Sequence, residues 1–155
     1  MMASISFIDT SILCNLVPVP GYDQQREQVL EEMGRRLDEG EEFILPITSV
    51  IETGNHIAQL GSGSARRQAA TKLDELLRLI CAGQAPWVLH DVAWDSMFLQ
   101  QLLDGADTQT SYIDHAQAGV GAGDLCILTE RQAFSNRSRI PAGIWTLDGG
   151  LSARS

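Results

Sequence analysis

The stretch SISFIDTSIL, residues Ser4 to Leu13, decides the fold because an uncharged apolar run meets an acid and two hydroxyl residues there. Residues 5–8 carry no charge, which predicts a short buried strand. Asp9 stands where that strand ends, and residues 10–16 predict a helix that follows at once. A buried strand followed directly by a helix is typical of α/β folds.

Three further apolar runs repeat this arrangement along the chain. They predict strands at residues 43–47, 87–89 and 144–147, with helices between them. The alternation predicts a parallel sheet covered on both faces and joined by right-handed crossovers. We therefore expect a single domain over residues 1–155, with a three-layer α/β/α fold and a central parallel sheet of four to five strands.

The helices are predicted from apolar residues at helical spacing and from capping signals. One helix follows Asp23, a second is capped by Ser64, a third by Asp91, and a fourth starts near Asp124. A further helix is predicted to begin at Ser49. The residues predicted to face inward are Val29, Leu30, Met33 and Leu37 in the first, Ala69, Leu73, Leu76, Leu77 and Ile80 in the second, and Trp94, Phe98, Leu102 and Leu103 in the third.

Four acids are candidate site residues: three follow or closely trail an apolar run, and the third along the chain follows a pair of glycines. They are Asp9, Glu52, Asp124 and Asp148. The carboxyl ends of parallel strands form one rim of a sheet, where ligands bind in open α/β folds. We therefore expect these acids to meet, although they are distant in sequence. A carboxylate cluster suits the oxygen-seeking cations Mg²⁺ and Mn²⁺ and predicts a metal-dependent enzyme acting on phosphate groups.

Each acid also has a structural interpretation that the residues leave open. Asp9 could cap the helix that follows it, and Glu52 could close a capping box with Ser49. Asp124 could favour the positive end of a helix, and Asp148 could belong to an Asp-Gly turn.

Charge and cysteine content restrict the function classes. The formal net charge of −9 opposes non-specific attraction to nucleic acid and to anionic membranes. Cys14, Cys81 and Cys126 are odd in number and form no C-x-x-C pair, which predicts buried free thiols in a reducing compartment. No apolar run reaches the roughly 18 residues that span a bilayer. We therefore expect a cytoplasmic protein without a membrane partner.

Together, the four acidic segments resemble the PIN domain family of metal-dependent ribonucleases. FIDTSIL is similar to the first motif of that family, ITSVIE to the second, GAGD and its apolar helix to the third, and WTLD to the fourth. The motifs keep the order, spacing and strand-end placement of the family over nearly the whole chain. In size and layout the chain looks most like the toxins of bacterial toxin–antitoxin pairs.

The resemblance implies hydrolysis of RNA phosphodiester bonds with Mg²⁺ or Mn²⁺ as the cofactor. The metal-site and catalytic residues that it implies are Asp9, Glu52, Asp124 and Asp148. The hydroxyl-bearing supports would be Thr10, Ser11 and Thr146. The candidate RNA contacts, each of which could also lie on a solvated helix face, are Arg66, Arg67, Arg131 and Arg137. RNA, a small antitoxin protein and a second copy of the chain are the partners that the resemblance implies.

Two departures from the family pattern bear on the substrate groove. Only seven residues follow Asp148, so the terminal strand or helix of the family is expected to be short or missing, and the loop of residues 104–123 is long. The alternative function is a non-catalytic PIN-like binding or regulatory module, which the acidic charge favours and the complete acid set disfavours. Receiver domains and haloacid-type phosphatases are disfavoured because the single lysine, Lys72, precedes the last two predicted strands.

Overall fold

The computed structural model describes residues 4–154, except for the side chain of residue 154. These residues form a four-stranded sheet flanked by eight helices. The strands are β1 (Ile5–Ile8), β2 (Glu42–Ile44), β3 (Trp87–Val88) and β4 (Gly143–Trp145). The helices are α1 (Thr10–Leu16), α2 (Arg26–Asp38), α3 (Ile47–Ala58), α4 (Gly63–Cys81), α5 (Ser96–Leu103), α6 (Tyr112–Gln117), α7 (Ala122–Ser138) and α8 (Gly149–Arg154).

Every strand pair in this sheet is parallel, and the strand order is β3-β2-β1-β4. Phe7 of the central strand β1 pairs with Ile44 of β2 on one side and with Ile144 of β4 on the other. Parallel neighbours need crossover connections, which the intervening helices supply. The α/β class and the parallel sheet predicted from the sequence are therefore confirmed, and the carboxyl ends of β1, β2 and β4 share one edge.

Apolar strand residues explain why β1 lies at the centre of the sheet. Phe7, Ile8 and Phe43 have no exposed surface. Ile8 and Phe43 pack with residues of α2 and α4, whereas the ring of Phe7 packs against Phe134 of α7. Full burial of such a side chain contributes about 1.5–3 kcal/mol relative to its exposure. An uncharged run at residues 5–8 therefore favours a strand position with a neighbour on each side, which β1 has.

Two of the predicted helix starts differ from the structure, one of them because a tertiary contact uses the predicted cap residue. α3 begins at Ile47, and Ser49 Oγ donates a 2.7 Å hydrogen bond to the carbonyl of Ile8 instead of capping the helix. The predicted capping box is therefore wrong. α4 is capped by Ser62 rather than Ser64, with the Ser62 hydroxyl accepting from the N–H of residue 65.

The start of α5 was also predicted four residues too early. Asp95, not Asp91, caps this helix and accepts a 2.9 Å hydrogen bond from the N–H of Phe98. Trp94 therefore precedes the helix and is 71% exposed, whereas Phe98 is buried. The prediction that Trp94 faces inward is wrong, and the same holds for the exposed residues Leu30, Leu37 and Leu103.

The two segments in which the chain departs from the PIN pattern each contain a short helix. α6 lies within the long segment between α5 and α7, and Ser111 caps it by accepting from the N–H of Asp114. α8 follows Asp148 at once and places Leu151, which is fully buried, against Leu125 and Leu128 of α7. The terminal element is therefore a short helix that closes a second, smaller core.

The cysteines are free thiols, as predicted, but they differ in exposure. Cys14 is buried, Cys126 is half-buried and Cys81 is exposed. The predicted burial of Cys81 is wrong because the end of α4, where it lies, faces solvent on that side. Within residues 4–154, none of the helices combines the length and apolar character needed to cross a membrane.

Candidate active site

The four predicted acids line one cavity of about 330 Å³ at the carboxyl edge of the sheet. Asp9 directly follows β1, and Glu52 lies on α3, which follows β2. Asp124 lies in the first turn of α7, and Asp148 lies between β4 and α8. The parallel topology explains their meeting, because parallel strands end at the same edge of the sheet.

Asp9 is held by hydroxyl groups from both ends of the chain. Its carboxylate oxygen Oδ2 accepts hydrogen bonds from Ser11 Oγ at 2.8 Å and from Thr146 Oγ1 at 2.7 Å. The N–H of Ser11 lies 3.4 Å from the same oxygen, so Asp9 also caps α1. Asp9 is 4% exposed, and three donors fix one of its oxygens. Both interpretations of Asp9 therefore hold together: it starts a helix and lines the cavity.

Glu52 is held by a residue of α1 and not by the capping box that its sequence suggests. Thr10 Oγ1 donates a 3.0 Å hydrogen bond to Glu52 Oε1. On the other side the carboxyl group lies against Gly123, where an added Cβ would come within 2.9 Å of Glu52 Cδ. Glycine at position 123 therefore allows α7 to approach the Glu52 carboxyl group closely.

Asp124 and Asp148 complete the acidic lining from the C-terminal half. Asp124 is half-buried at the N-terminal end of α7, where the helix dipole favours a carboxylate. Asp148 is exposed, and its Oδ1 accepts from the N–H groups of Gly150 at 2.8 Å and Leu151 at 3.2 Å, as a helix cap does. The turn interpretation of Asp148 and its place in the cavity are thus compatible.

Thr146 connects Asp9 with Asp148. Its hydroxyl donates to Asp9 Oδ2 and accepts a 2.9 Å hydrogen bond from the N–H of Asp148. Ser11 Oγ also accepts from the N–H of Leu147 at 2.9 Å. The three hydroxyl residues predicted as supports, Thr10, Ser11 and Thr146, therefore all contact a carboxylate of the cavity.

The cavity lining also contains two aromatic rings, one of which the sequence analysis did not predict. Tyr22 stacks on His56, with ring centroids 4.2 Å apart and an interplanar angle of 23°. Both line the cavity, and Tyr22 is 41% exposed. His56 lies on α3, four residues after Glu52, but nothing in the local sequence around Tyr22 indicates that it faces His56. Position 22 lies in the segment between α1 and α2, so its neighbours are set only by tertiary folding.

Cys14 lies beneath the acids and is unsuited to act as a nucleophile. Burial raises the pKa of its thiol, a hydrogen bond with Thr53 partly opposes this, and the negative charges of Asp9 and Glu52 raise the pKa further. The side chain therefore stays protonated near neutral pH.

The acids fit a hard cation by donor type, although they are not arranged as a finished coordination shell. Carboxylate oxygens are the ligands that Mg²⁺ and Mn²⁺ prefer, and all four acids border the same space. Among the residues that the structure describes, no group of three or more His, Cys, Asp or Glu side chains is positioned to hold a metal ion. The carboxylates would have to turn toward one another for such an ion to bind.

The arginines predicted to contact RNA do not line the acidic cavity. Arg66 and Arg67 are exposed on α4, and Arg137 is exposed near the end of α7. Arg131 is 7% exposed and lies 3.6 Å from Asp107. Arg131 therefore pairs with Asp107, an exposed acid, whereas the other three arginines face solvent.

Comparison with known proteins finds no matching family model, no matching curated protein and no matching solved structure. The resemblance to the PIN family therefore rests on the four short motifs and on where the chain folds them. The function is inferred from the cavity and its chemistry.

Proposed function

We propose that the chain is a PIN-type endoribonuclease that hydrolyses RNA phosphodiester bonds with Mg²⁺ or Mn²⁺ and acts in the cytoplasm. The observation that carries this proposal is the position of Asp9, Glu52, Asp124 and Asp148 around one cavity of about 330 Å³. Four separate parts of the chain contribute these acids. An acidic lining of this kind is costly in like-charge repulsion unless a cation or a cationic group offsets it.

When bound, the metal ion would supply a water of lowered pKa and would offset charge on the phosphoryl oxygens and the leaving oxygen. The chain positions the acids for this chemistry. Ser11 and Thr146 fix Asp9 through Oδ2, and Thr10 fixes Glu52 through Oε1. Hydroxyl donors of this kind orient ligating carboxylates and tune their basicity.

The rim of the cavity offers a place for a nucleobase. The Tyr22–His56 stack presents an aromatic face next to the acids, and stacking on aromatic rings contributes about 1–3 kcal/mol per base in single-stranded nucleic acid binding. Stacking is insensitive to the net charge of −9, which repels the phosphate backbone elsewhere. We therefore propose single-stranded RNA as the substrate, with one base near Tyr22.

The test is cleavage of end-labelled single-stranded and structured RNAs with Mg²⁺, with Mn²⁺ and with EDTA. The variants are Asp9→Asn and Asp124→Asn, and the matched control is Asp74→Asn, an exposed acid on α4 that pairs with Arg78. We expect cleavage that needs metal, is lost in the first two variants and persists in the control. Cleavage that is equal in all four proteins would show contamination and contradict the proposal.

A non-catalytic PIN-like binding or regulatory module is the second candidate. It is favoured by the absence, among residues 4–154, of three metal-binding side chains in position and by the use of Asp148 Oδ1 as a helix cap. Calorimetric titration with Mn²⁺ separates the two functions. Saturable binding that Asp9→Asn weakens supports the nuclease, whereas no binding together with no cleavage supports the module.

One partner of the proposed enzyme is suggested by the same cavity. If the chain is the toxin of a toxin–antitoxin pair, a small antitoxin could place an arginine-bearing tail among the acids, where its guanidinium would offset their charge. A homodimer is proposed from the family resemblance alone. Inhibition of wild-type cleavage by an arginine-rich peptide, together with weaker binding of the same peptide to Asp124→Asn, tests the first of these partners.

A further inference from the structure

Glu130 is a buried carboxyl group for which the protein provides no hydrogen-bond donor. It lies on α7 and has no exposed surface. Neither Oε1 nor Oε2 has a hydrogen-bond partner within the described part of the chain. Burial raises the pKa of Glu130 to about 7. Buried carboxyl groups are normally paired, and leaving one without a partner is unfavourable.

His90 lies beside Glu130, and among the described residues its ring nitrogen Nε2 is unpaired as well, whereas Nδ1 lies 3.1 Å from the carbonyl oxygen of Asp91. His90 Nε2 lies 4.0 Å from Glu130 Oε2, beyond hydrogen-bond distance, and it has no partner among residues 4–154. Burial lowers the pKa of His90, with Arg137 adding to the effect, so its ring is neutral near pH 7. The rings of Phe7 and Phe134 pack edge-on against it, at centroid distances of 5.3 and 5.7 Å. His90 therefore offers a ring nitrogen and no charge to Glu130.

Both groups border a cavity of about 440 Å³ with apolar walls. The walls are formed by Leu45, Val50, Leu77 and Ile80 together with Ile47 and Leu89. Ile47 and Leu89 are each 60% exposed, so the cavity opens to solvent between them. Its volume lies in the range of small-molecule sites, which are mostly apolar and contain a few fixed polar groups.

This cavity is separate from the acidic cavity, with which it shares no lining residue. The chemistry of its interior selects the ligand. An anion would be repelled by Glu130, and a neutral apolar ligand would leave the carboxylate without a partner. A cation with an apolar chain satisfies both features, and the net charge of −9 attracts it.

We propose that the cavity beside Glu130 is a binding site for a small organic cation, an unbranched apolar chain that ends in a guanidinium or ammonium group. The head group donates to the Glu130 carboxylate and lies beside His90 Nε2. The chain lies along Val50, Leu77 and Ile80 and leaves between Ile47 and Leu89. A guanidinium suits the site best, because its N–H groups can satisfy both carboxylate oxygens at once.

The test is titration of the full chain with n-pentylguanidinium chloride above the pKa of Glu130, followed by amide chemical shifts. The matched ligands are n-pentanol and pentanoate, and the variants are Glu130→Gln and, for the acidic cavity, Asp9→Asn. We expect saturable shifts in residues 45–50 and 89–92, binding at least about tenfold weaker in Glu130→Gln, and unchanged binding in Asp9→Asn. Affinity should rise roughly three- to fourfold for each CH₂ added from ethyl to pentyl.

Cys81 gives a second readout that needs no variant. It lines the cavity and is exposed, whereas Cys14 and Cys126 are not. Saturating pentylguanidinium should slow its alkylation by iodoacetamide, and pentanol at equal concentration should not. Equal binding of cation and alcohol, equal binding to wild type and Glu130→Gln, or an unchanged alkylation rate would each overturn the proposal, as would the absence of saturable binding by any cation of the series.

Discussion

Thr146 Oγ1 donates a 2.7 Å hydrogen bond to Asp9 Oδ2 across 137 positions of sequence. β1 and β4 are parallel neighbours, so the residues that follow them lie side by side. The same hydroxyl accepts from the N–H of Asp148. One side chain therefore sets the positions of two acids that the proposed reaction needs.

Replacing Thr146 by valine tests this relationship. The shape is kept, but Asp9 and the N–H of Asp148 each lose a hydrogen-bond partner. We expect a loss of about 10- to 100-fold in metal affinity or in metal-dependent cleavage, as is typical when a support of a metal ligand is removed. Mn²⁺ titration and kcat/KM at saturating Mn²⁺ measure the two effects.

Thr146→Ser is the matched control, because it restores the hydroxyl without the methyl group. It should recover most of the metal affinity. If valine and serine have equal effects, Thr146 contributes by packing alone and does not position Asp9.

Gly123→Ala tests the contact between α7 and Glu52. The new methyl group would meet the Glu52 carboxyl group at 2.9 Å, so Glu52 must turn away and leave the hydrogen bond from Thr10. We expect loss of metal-dependent cleavage, measured with RNA, and only a small change in the free energy of unfolding, measured with urea, because the group that moves is the end of a flexible side chain.

Gly34→Ala is the control for this substitution. Gly34 lies within α2, and an added Cβ there has no atom within 4 Å. Alanine should raise stability by up to about 1 kcal/mol because it favours the helix, with cleavage unchanged. Equal behaviour of the two variants would mean that Gly123 has no special contact with Glu52.

The strands could be predicted because a strand that is buried on both faces of the sheet has a continuous apolar sequence. Residues 5–8 form β1 with the predicted bounds, and β3 and β4 end within one or two residues of the predicted positions. β2 differs more, because it stops at Ile44, three residues before its predicted end. Proline at position 46 precedes α3 and cannot donate to a strand ladder. Apolar runs therefore predict where strands lie better than where they stop.

Residues whose role depends on a distant partner could not be predicted. Ser49 and Glu52 have the spacing of a capping box, but the carbonyl of Ile8 and the hydroxyl of Thr10 bind them instead. The apolar stripe of α2 predicted Leu30 as buried, yet Leu30 is 45% exposed. An apolar stripe shows which face of a helix turns toward the core, but it does not show how much of that face the neighbouring elements cover.

Glu130 left no signal of its burial. A glutamate beside an arginine in a helix is usually solvated, and only the packing of α7 against the sheet reveals otherwise. Asp9 and Asp148 of the candidate site could be found because they follow strands β1 and β4, a rule that does not apply to a residue in the middle of a helix.

Tyr22→Leu tests the proposed contact with a base. Leucine keeps an apolar side chain but cannot stack on His56 or on a nucleobase. We expect KM for single-stranded RNA to rise by about 5- to 100-fold with kcat nearly unchanged. Tyr22→Phe keeps the ring and should leave KM close to the wild-type value; a fall in kcat with constant KM in Tyr22→Leu would place Tyr22 outside the binding step.

Glu130 makes stability depend on pH. Its pKa is about 7 in the folded chain and has an ordinary value of 4.5. Below the ordinary value both states hold the proton, so no stability is lost. As the pH rises from 4.5 to about 7, the unfolded chain releases the Glu130 proton while the folded chain keeps it. The free energy of unfolding therefore falls over this range, and the contribution of the neutral group is lost by about pH 7. The total is on the order of 3 kcal/mol.

Neighbouring groups titrate in the same range and must be separated from this effect. The pKa of His90 is lowered by burial, so its contribution is lost as pH falls below its ordinary value, which opposes the slope from Glu130. Burial, with Glu130 adding to it, raises the pKa of Cys126, so that thiol is neutral throughout the window. The difference between wild type and a Glu130 variant removes the contribution of His90.

Glu130→Gln supplies that difference because its side chain has nearly the same shape and no proton to release. Its free energy of unfolding should be close to that of wild type near pH 4.5 and higher by on the order of 3 kcal/mol above pH 7. Urea unfolding across this range measures both values, with Glu75→Gln, an exposed position on α4, as the control. A gap that stays constant with pH would mean that Glu130 finds a partner in solution and is not the unpaired carboxyl group described above.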